Sequence, residues 1–204
     1  MSFAPLFNWL LPPKCELCER HSTPIICTHC EQELNFSVSF RKHLDTKIQL
    51  FALGDYQNPL LKKLIQEIKF NGNQRLAHWV SHAIKGLTFN IDISLLIPVP
   101  SHINRLQQRP FNHVHAIFRH LLLSYPSTSC IVRTRDTPHL FDQSKPDRIR
   151  LLKGAFKVRE PASIQNQSIV LLDDIVSTGA TILELSRCLL PYRPRSISVI
   201  SLSH

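Results

Sequence analysis

Residues 169–181 read I-V-L-L-D-D-I-V-S-T-G-A-T, and the rest of the 204-residue chain is organised around them. Ile169 to Leu172 form a continuous apolar run of strand length, after which Asp173 and Asp174 arrive at the strand's carboxyl end. Open α/β sheets bind ligands in the crevice beyond those ends. Ser177, Thr178 and Gly179 then supply small side chains and one unrestricted backbone position, and Ala180 to Leu190 resumes an apolar pattern suited to a helix. A tight turn feeding a helix N-terminus offers free N–H groups and the positive end of the helix dipole to an anion. Ser177, Thr178, Gly179, Ala180 and Thr181 are therefore expected to hold a phosphate. Asp173 and Asp174 are expected to accept hydrogen bonds from sugar hydroxyls or to hold Mg2+ through water. The five glycines fall at 54, 72, 86, 154 and 179, so neither G-x-G-x-x-G nor G-x-x-x-x-G-K-[ST] can be written anywhere.

All thirteen positions resemble the 5-phosphoribosyl 1-pyrophosphate (PRPP) binding motif of type I phosphoribosyltransferases. The resemblance implies an α/β fold with a mostly parallel sheet flanked by helices.

A chain of 204 residues suffices for one full α/β domain and a small appendage. With 43% hydrophobic and 19% charged residues it is expected to form a globule, and no apolar run approaches the ~20 residues needed to cross a bilayer. Met1 to Pro13 is apolar but lacks a basic leader and a small-residue cleavage site, so a cytoplasmic protein is expected. That segment, with Phe3, Leu6, Phe7 and Leu10 on one helical face, packs on the body, on a partner or peripherally on the inner face of the membrane. The net charge of +9 favours phosphorylated or polyanionic partners.

Cys15-x2-Cys18 and Cys27-x2-Cys30 are two knuckles separated by eight residues. Four thiolates so spaced complete a tetrahedral shell around Zn2+, and a closed shell makes the metal structural rather than catalytic. His21 and His29 are near enough to be weighed as substitute ligands. The chain thus divides into an N-terminal helix and zinc module, residues 1–46, and a phosphoribosyltransferase-like domain, residues 47–204.

Within the second part a strand is expected over Gln49 to Tyr56, then a helix whose stripe Leu60, Leu61, Leu64, Ile65 and Ile68 faces the core. Gly72 ends it, and Arg75 to Lys85 starts another helix with Leu76, Trp79, Val80 and Ile84 inward. Ile93 to Val99 is a buried strand, followed by a loop carrying Arg105 and Arg109, placed for a second phosphate group through forked hydrogen bonds. A helix with Val114 to Leu122 and a strand over Cys130 to Arg133 come next, with Cys130 and Cys188 as core residues. Thr137 to Pro146, with two prolines and little periodicity, is expected as a mobile hood, and Ser196 to Leu202 as the last strand.

Together these features resemble the ComF family of phosphoribosyltransferase-like proteins, associated with natural competence, the uptake of external DNA. The resemblance rests on the four-cysteine knuckles, Tyr56 with Lys69-Phe70-x-Gly72, Pro98-Val99-Pro100, Arg109-x-Phe111-Asn112, the block from Thr137 to Phe156, and the PRPP motif. It implies that Asp173 and Asp174, the catalytic acids of an active member, engage the ribose diol, that Ser177 to Thr181 hold the 5-phosphate, and that the loop from Pro100 to Asn112 lies near the pyrophosphate. Pro110 stands where the family has Gly, and Leu140 and Leu151 where it has Gln and Asn, whereas Ser144 and Arg148 fit.

The function so implied is a PRPP-binding protein of the competence machinery that handles internalised single-stranded DNA, alongside competence partners such as helicases or DNA-processing factors. Lys62, Lys63, Lys69 and Arg75, with Arg148 in a second basic region, are its candidate nucleic-acid contacts. Two other readings stand beside it. One is an active phosphoribosyltransferase acting on an unidentified nitrogenous acceptor, with Mg2+ and arginines stabilising the departing pyrophosphate. The other is a zinc-bearing adaptor with a retired site.

Overall fold

The computed structural model describes residues 13–22, 24–45, 47–107, 109–136 and 145–204. The apolar helix expected within 3–11 and residues 137–144 of the expected hood lie outside them. The described residues form a five-stranded sheet in the order β1-β2-β7-β6-β3, from β1 (Ser39–Asp45), β2 (Ile48–Gly54), β3 (Leu95–Pro98), β6 (Ser168–Ile175) and β7 (Ser196–Ser203). Every neighbouring pair runs parallel except β1 with β2, which is antiparallel. The strand expected over residues 130–133 is β4 (Ile131–Arg133), but it pairs with β5 (Phe156–Val158) in a separate two-stranded sheet.

Ser168 to Leu172 are buried without a break because β6 is covered on both faces. Ile169 and Leu171 enter one hydrophobic cluster, Val170 and Leu172 the other. β7 repeats the division, with Ile197 and Val199 on one side and Ile200 and Leu202 on the other. Double cover turns the alternating pattern of a half-exposed strand into a continuous apolar run. The chain's last strand accordingly lies in the middle of the sheet, between β2 and β6, rather than closing its edge.

The first face is packed by α1 (Thr28–Leu34), α2 (Pro59–Lys69), α3 (Gln74–Ala83), α5 (His113–Ile117) and α6 (Arg119–Ser124). Asn58 starts α2 by accepting hydrogen bonds from the Leu60 and Leu61 N–H groups, with Pro59 in the first turn, where it sacrifices no helical bond. Leu61, Leu64, Ile65 and Ile68 are buried as their spacing predicts. Asn73 caps α3 in the same way. The single helix expected from Val114 to Leu122 is two, because Phe118 leaves helical geometry between α5 and α6 while its own ring is fully buried. The second face carries α8 (Ala180–Leu189) and the β4–β5 ribbon, with Leu152 of α7 (Lys145–Leu152). Lys145 and Pro146, the end of the expected hood, belong to α7, and the short α4 (Ile103–Gln107) follows β3.

The cysteine-bearing segment shares a core with this body. Cys15, Leu17, Ile26, Cys30 and Leu34 belong to the same cluster as the buried face of α2 and α3. Polar contacts add to it: Asn58 Nδ2 donates to the Glu33 carbonyl at 2.9 Å, Asn73 Nδ2 to Glu16 Oε2 at 2.8 Å, and Lys63 Nζ to the Leu17 carbonyl. Strand β1, in the first 46 residues, pairs along its length with β2, so a boundary at 46 falls between two paired strands. Among the described residues no helix is long and apolar enough to cross a membrane.

Candidate functional site

At the carboxyl end of β6 the chain delivers Asp173 and Asp174 and then turns through Val176 to Gly179 into α8. Gly179 has φ +76°, the left-handed region, and a Cβ there would lie 2.8 Å from Leu44 Cδ2 of β1. The backbone conformation demands glycine, and any Cβ would in addition displace the Leu44 side chain. No side chain caps α8; the Ala180 N–H has a long contact, 3.4 Å, with Thr178 Oγ1. The first turn of this 10-residue helix thus opens on the cleft, which residues 173–182 line. Arg148 of α7 donates through Nη1 to Ser177 Oγ at 2.9 Å, bringing a guanidinium to the same loop.

Asp174 is 4% exposed and meets two basic side chains. Lys69 Nζ, from the last turn of α2, lies 2.6 Å from its Oδ2, and His113 Nε2, from the start of α5, lies 3.3 Å away. Lys69 supplies the opposite charge and His113 a polar ring edge, so Oδ2, itself shut off from solvent, is compensated from within the protein. Its other oxygen accepts the Ile175 N–H at 3.0 Å. Burial alone would raise the Asp174 pKa, but the Lys69 charge and the His113 contact outweigh it and hold the carboxyl far below its ordinary range. Asp173 goes the other way: burial first, then the neighbouring Asp174 charge, push its pKa well up, with Lys69 opposing. Two adjacent acids are thus driven apart in acidity, a pattern typical of functional clefts.

Four cations, Lys69, Arg109, Arg133 and Arg148, line the cleft with the two acids, an excess of positive charge suited to a polyanionic ligand. Arg109, expected on the pyrophosphate side, is one of these cleft residues. Arg105 falls on α4, and its side chain lies outside the described residues. Lys69 and Arg148, expected as nucleic-acid contacts, line the cleft, where Lys69 meets the buried Asp174 carboxylate and Arg148 the Ser177 hydroxyl. Lys62 lies 5.0 Å from the centroid of the Tyr56 ring, and Arg75 pairs with Glu16 at 2.8 Å. Arg133 is expected only as the end of a short strand in a basic region, and His113 carries no expected role. His113 directly follows Arg109-Pro110-Phe111-Asn112, and this adjacency was its only signal. Pro110 has a packing role: Gly72, at φ +67°, would bring a Cβ to within 2.5 Å of Pro110 Cγ. The segments carrying Lys69 and Arg109 therefore meet tightly at the cleft wall.

The four N-terminal cysteines are free thiols whose sulfurs all lie within 4.8 Å of one another. Cys15 and Cys30 are 3.8 Å apart and Cys18 and Cys27 3.6 Å, close to the ~3.8 Å between sulfurs each ~2.3 Å from a tetrahedral Zn2+. Burial opposes ionisation of Cys15, but the backbone N–H groups of Cys18, Cys27 and Leu17 outweigh it and bring its pKa down to about 6. Burial and the three other thiols push Cys30 up. Such a crowd of sulfurs ionises fully only around a cation, so the donor set fits a metal ion such as zinc.

The opposed acidities of the acid pair make a stability prediction. Because the folded-state pKa of Asp173 is raised, its ionised form opposes folding above the ordinary carboxyl pKa of about 4. Asp173→Asn should therefore raise Tm at neutral pH by about 2–4 °C, the shift that ~1 kcal/mol produces in a chain of this size, and the gain should vanish below about pH 4. Asp174 has the opposite sign: its stabilisation is present above the same value and is lost only as pH falls further. Asp174→Asn should lower Tm throughout the neutral range, because it removes the carboxylate that Lys69 meets at 2.6 Å. Thermal scans between pH 4 and 8 provide the check, and a destabilised Asp173→Asn protein at pH 7 would contradict the assignment.

No protein-family model matches the chain. Among curated proteins it is similar to the "DNA utilization protein YhgH" of Escherichia coli, 30% identical over 153 residues that cover 70% of this chain and 66% of that protein. The match spans just under two thirds of the YhgH length. "Competence protein ComFC" of Bacillus subtilis is 26% identical over 184 residues, covering 86% of this chain and 71% of that protein. "Competence protein F" of Haemophilus influenzae is 27% identical over 183 residues, with 80% and 77% covered. Solved structures overlap loosely: an allosteric regulatory enzyme of purine biosynthesis has a TM-score of 0.42 at 12% identity, covering 68% of this chain and 30% of that one. A Trypanosoma cruzi hypoxanthine phosphoribosyltransferase has a TM-score of 0.33 at 16% identity, covering 69% and 63%. The sequence relatives, similar over most of the chain, carry the assignment: this protein belongs to the ComF family.

Proposed function

We propose that the cleft binds PRPP or a closely related phosphoribosyl ligand and that the protein serves a competence-related role in handling DNA. The observation that carries the ligand reading is the pair of acids at the end of β6 beside an uncapped helix start in a cleft with four cations. In this reading Asp173 and Asp174 take the ribose diol, the amides and hydroxyls of residues 177–181 take the 5-phosphate, and Arg109, with Arg105 on α4, serves the pyrophosphate. Mg2+ accompanies the pyrophosphate and would spread its charge; the acids of the cleft are its available oxygen donors. The four cysteines hold one structural Zn2+ that closes the N-terminal segment, residues 1–46, onto the phosphoribosyltransferase-like body.

The DNA role is supported by relatives named for competence and DNA utilization. Lys62, Lys63 and Arg75 on α2 and α3 remain its proposed phosphate contacts, with Lys69 and Arg148 serving the cleft.

Calorimetry with PRPP and Mg2+ tests the ligand reading. Wild-type protein should bind, and Asp174→Lys should lose at least about tenfold in affinity, since it removes an acceptor and adds a charge beside Lys69. Undiminished affinity in that variant would sink the assignment. For zinc, metal analysis of protein purified without added metal should return one ion per chain. Cys18→Ser should abolish it and lower the Tm of the whole cooperative transition, because the cysteine segment shares the main core. Four free thiols and no metal in the wild type would refute it. For DNA, single-strand affinity should fall with salt at a log–log slope of about −0.7 per phosphate contacted. Absence of binding at low salt would leave only a partner-mediated role.

A further inference from the structure

We propose that His113 is a positioning residue that couples Arg109 to Asp174, so that the cleft recognises the pyrophosphate end and the ribose end of its ligand jointly. The inference rests on the phosphoribosyl reading given above. His113 opens α5, where Asn112 caps the helix by accepting the His115 N–H, and its side chain is 5% exposed. Both ring nitrogens have a neighbour. Nδ1 lies 3.0 Å from Arg109 Nη1, in hydrogen-bonding geometry, and Nε2 lies 3.3 Å from Asp174 Oδ2.

The chemistry of the neighbours dictates the tautomer. A guanidinium has donors only and does not give up its proton, so Nδ1 must be the acceptor. The ring is then neutral, and its single N–H is on Nε2, facing the carboxylate. Lys69 already supplies the opposite charge that the buried Asp174 needs, at 2.6 Å. His113 is therefore not required as a counter-ion. What it adds is a rigid link: one ring holds an arginine from the loop before α5 at one edge and abuts an acid of β6 at the other.

The link matters because both oxygens of Asp174 are held: Lys69 and the imidazole face Oδ2, and the other oxygen accepts the Ile175 N–H. The imidazole is thus the part of the cleft wall that meets both the arginine and the acid. An arginine drawn toward a pyrophosphate shifts the imidazole to which it is bonded, and so reorients the wall against Asp174. Ligands with both ends should benefit from the coupling, and ligands lacking the pyrophosphate should not.

The test compares PRPP with ribose 5-phosphate by calorimetry in wild type, His113→Leu, His113→Gln, Arg109→Gln, and the His113→Leu, Arg109→Gln double variant. Failure of wild-type protein to bind PRPP would refute the phosphoribosyl reading itself. Given wild-type binding, His113→Leu should weaken PRPP about tenfold while changing ribose 5-phosphate by less than about threefold, the scale of coupling between contacting residues. His113→Gln, which retains one donor and one acceptor, should stay within about threefold of wild type for PRPP. In the His113→Leu background, Arg109→Gln should cost much less than it does alone. Equal losses for both ligands, or fold-losses that simply multiply in the double variant, would overturn the coupling. Should His113→Leu fail to fold, nitrogen-detected NMR of the wild-type imidazole decides the matter: a ring protonated only on Nε2 supports the proposal, and an imidazolium or the opposite tautomer overturns it.

Discussion

A carboxylate taken almost wholly out of water is the constraint on which the cleft depends. Asp174 is buried at the end of a central strand, and an ion in that position must be compensated from within the protein. Compensation comes from three directions: the amine of Lys69 at the end of α2, the imidazole of His113 at the start of α5, and the N–H of Ile175 on the same strand. These contacts draw the ends of two helices onto the sheet's carboxyl edge. The pair formed with Asp173 is costly, since one acid is pushed toward its neutral form while the other is held ionised. Sites that keep such opposed groups side by side forgo stability for an interaction with something that is not part of the fold.

The walls of the cleft are fixed by close backbone approaches rather than by long side chains. Gly179 admits Leu44 of β1 over the turn into α8, and Gly72 admits the ring of Pro110. The first contact ties the turn into α8 to the sheet's antiparallel edge, and the second ties the end of α2 to the loop before α5. Pro110 costs the loop one backbone donor, but its rigid ring fills the space that glycine leaves open, and Lys69 and Arg109 hold their places on either side.

The cysteine segment extends the same economy of contacts. In a short stretch with few apolar residues of its own, four thiols gather within the span of one metal ion, while Leu17, Ile26 and Leu34 reach into the main core. A metal there would do more than order a local loop. It would hold down a patch of the face on which α2 and α3 pack, the helices that supply Lys69 and frame the cleft.

Local chemistry by itself determined much of this. The run from Ile169 to Leu172, the acids that follow it, and the small residues leading to Gly179 identify a buried strand, a turn and an anion-ready helix start, because each depends only on nearest neighbours and backbone preference. The cysteine spacing works the same way, as do the stripes of α2 and α3, whose capping residues Asn58 and Asn73 stand directly before them. Only tertiary structure decided the central position of β7, since an apolar strand has the same sequence whichever pair of neighbours it takes. The break at Phe118 arises because burying that ring outweighs one turn's continuity, and no local signal records the ring's surroundings. Lys69 on a helix reads as one more surface cation, and His113 as one more loop residue. What distinguishes them is a buried charge contributed by a strand more than sixty residues farther along the chain, and the energy of facing that charge is a property of the folded sheet alone.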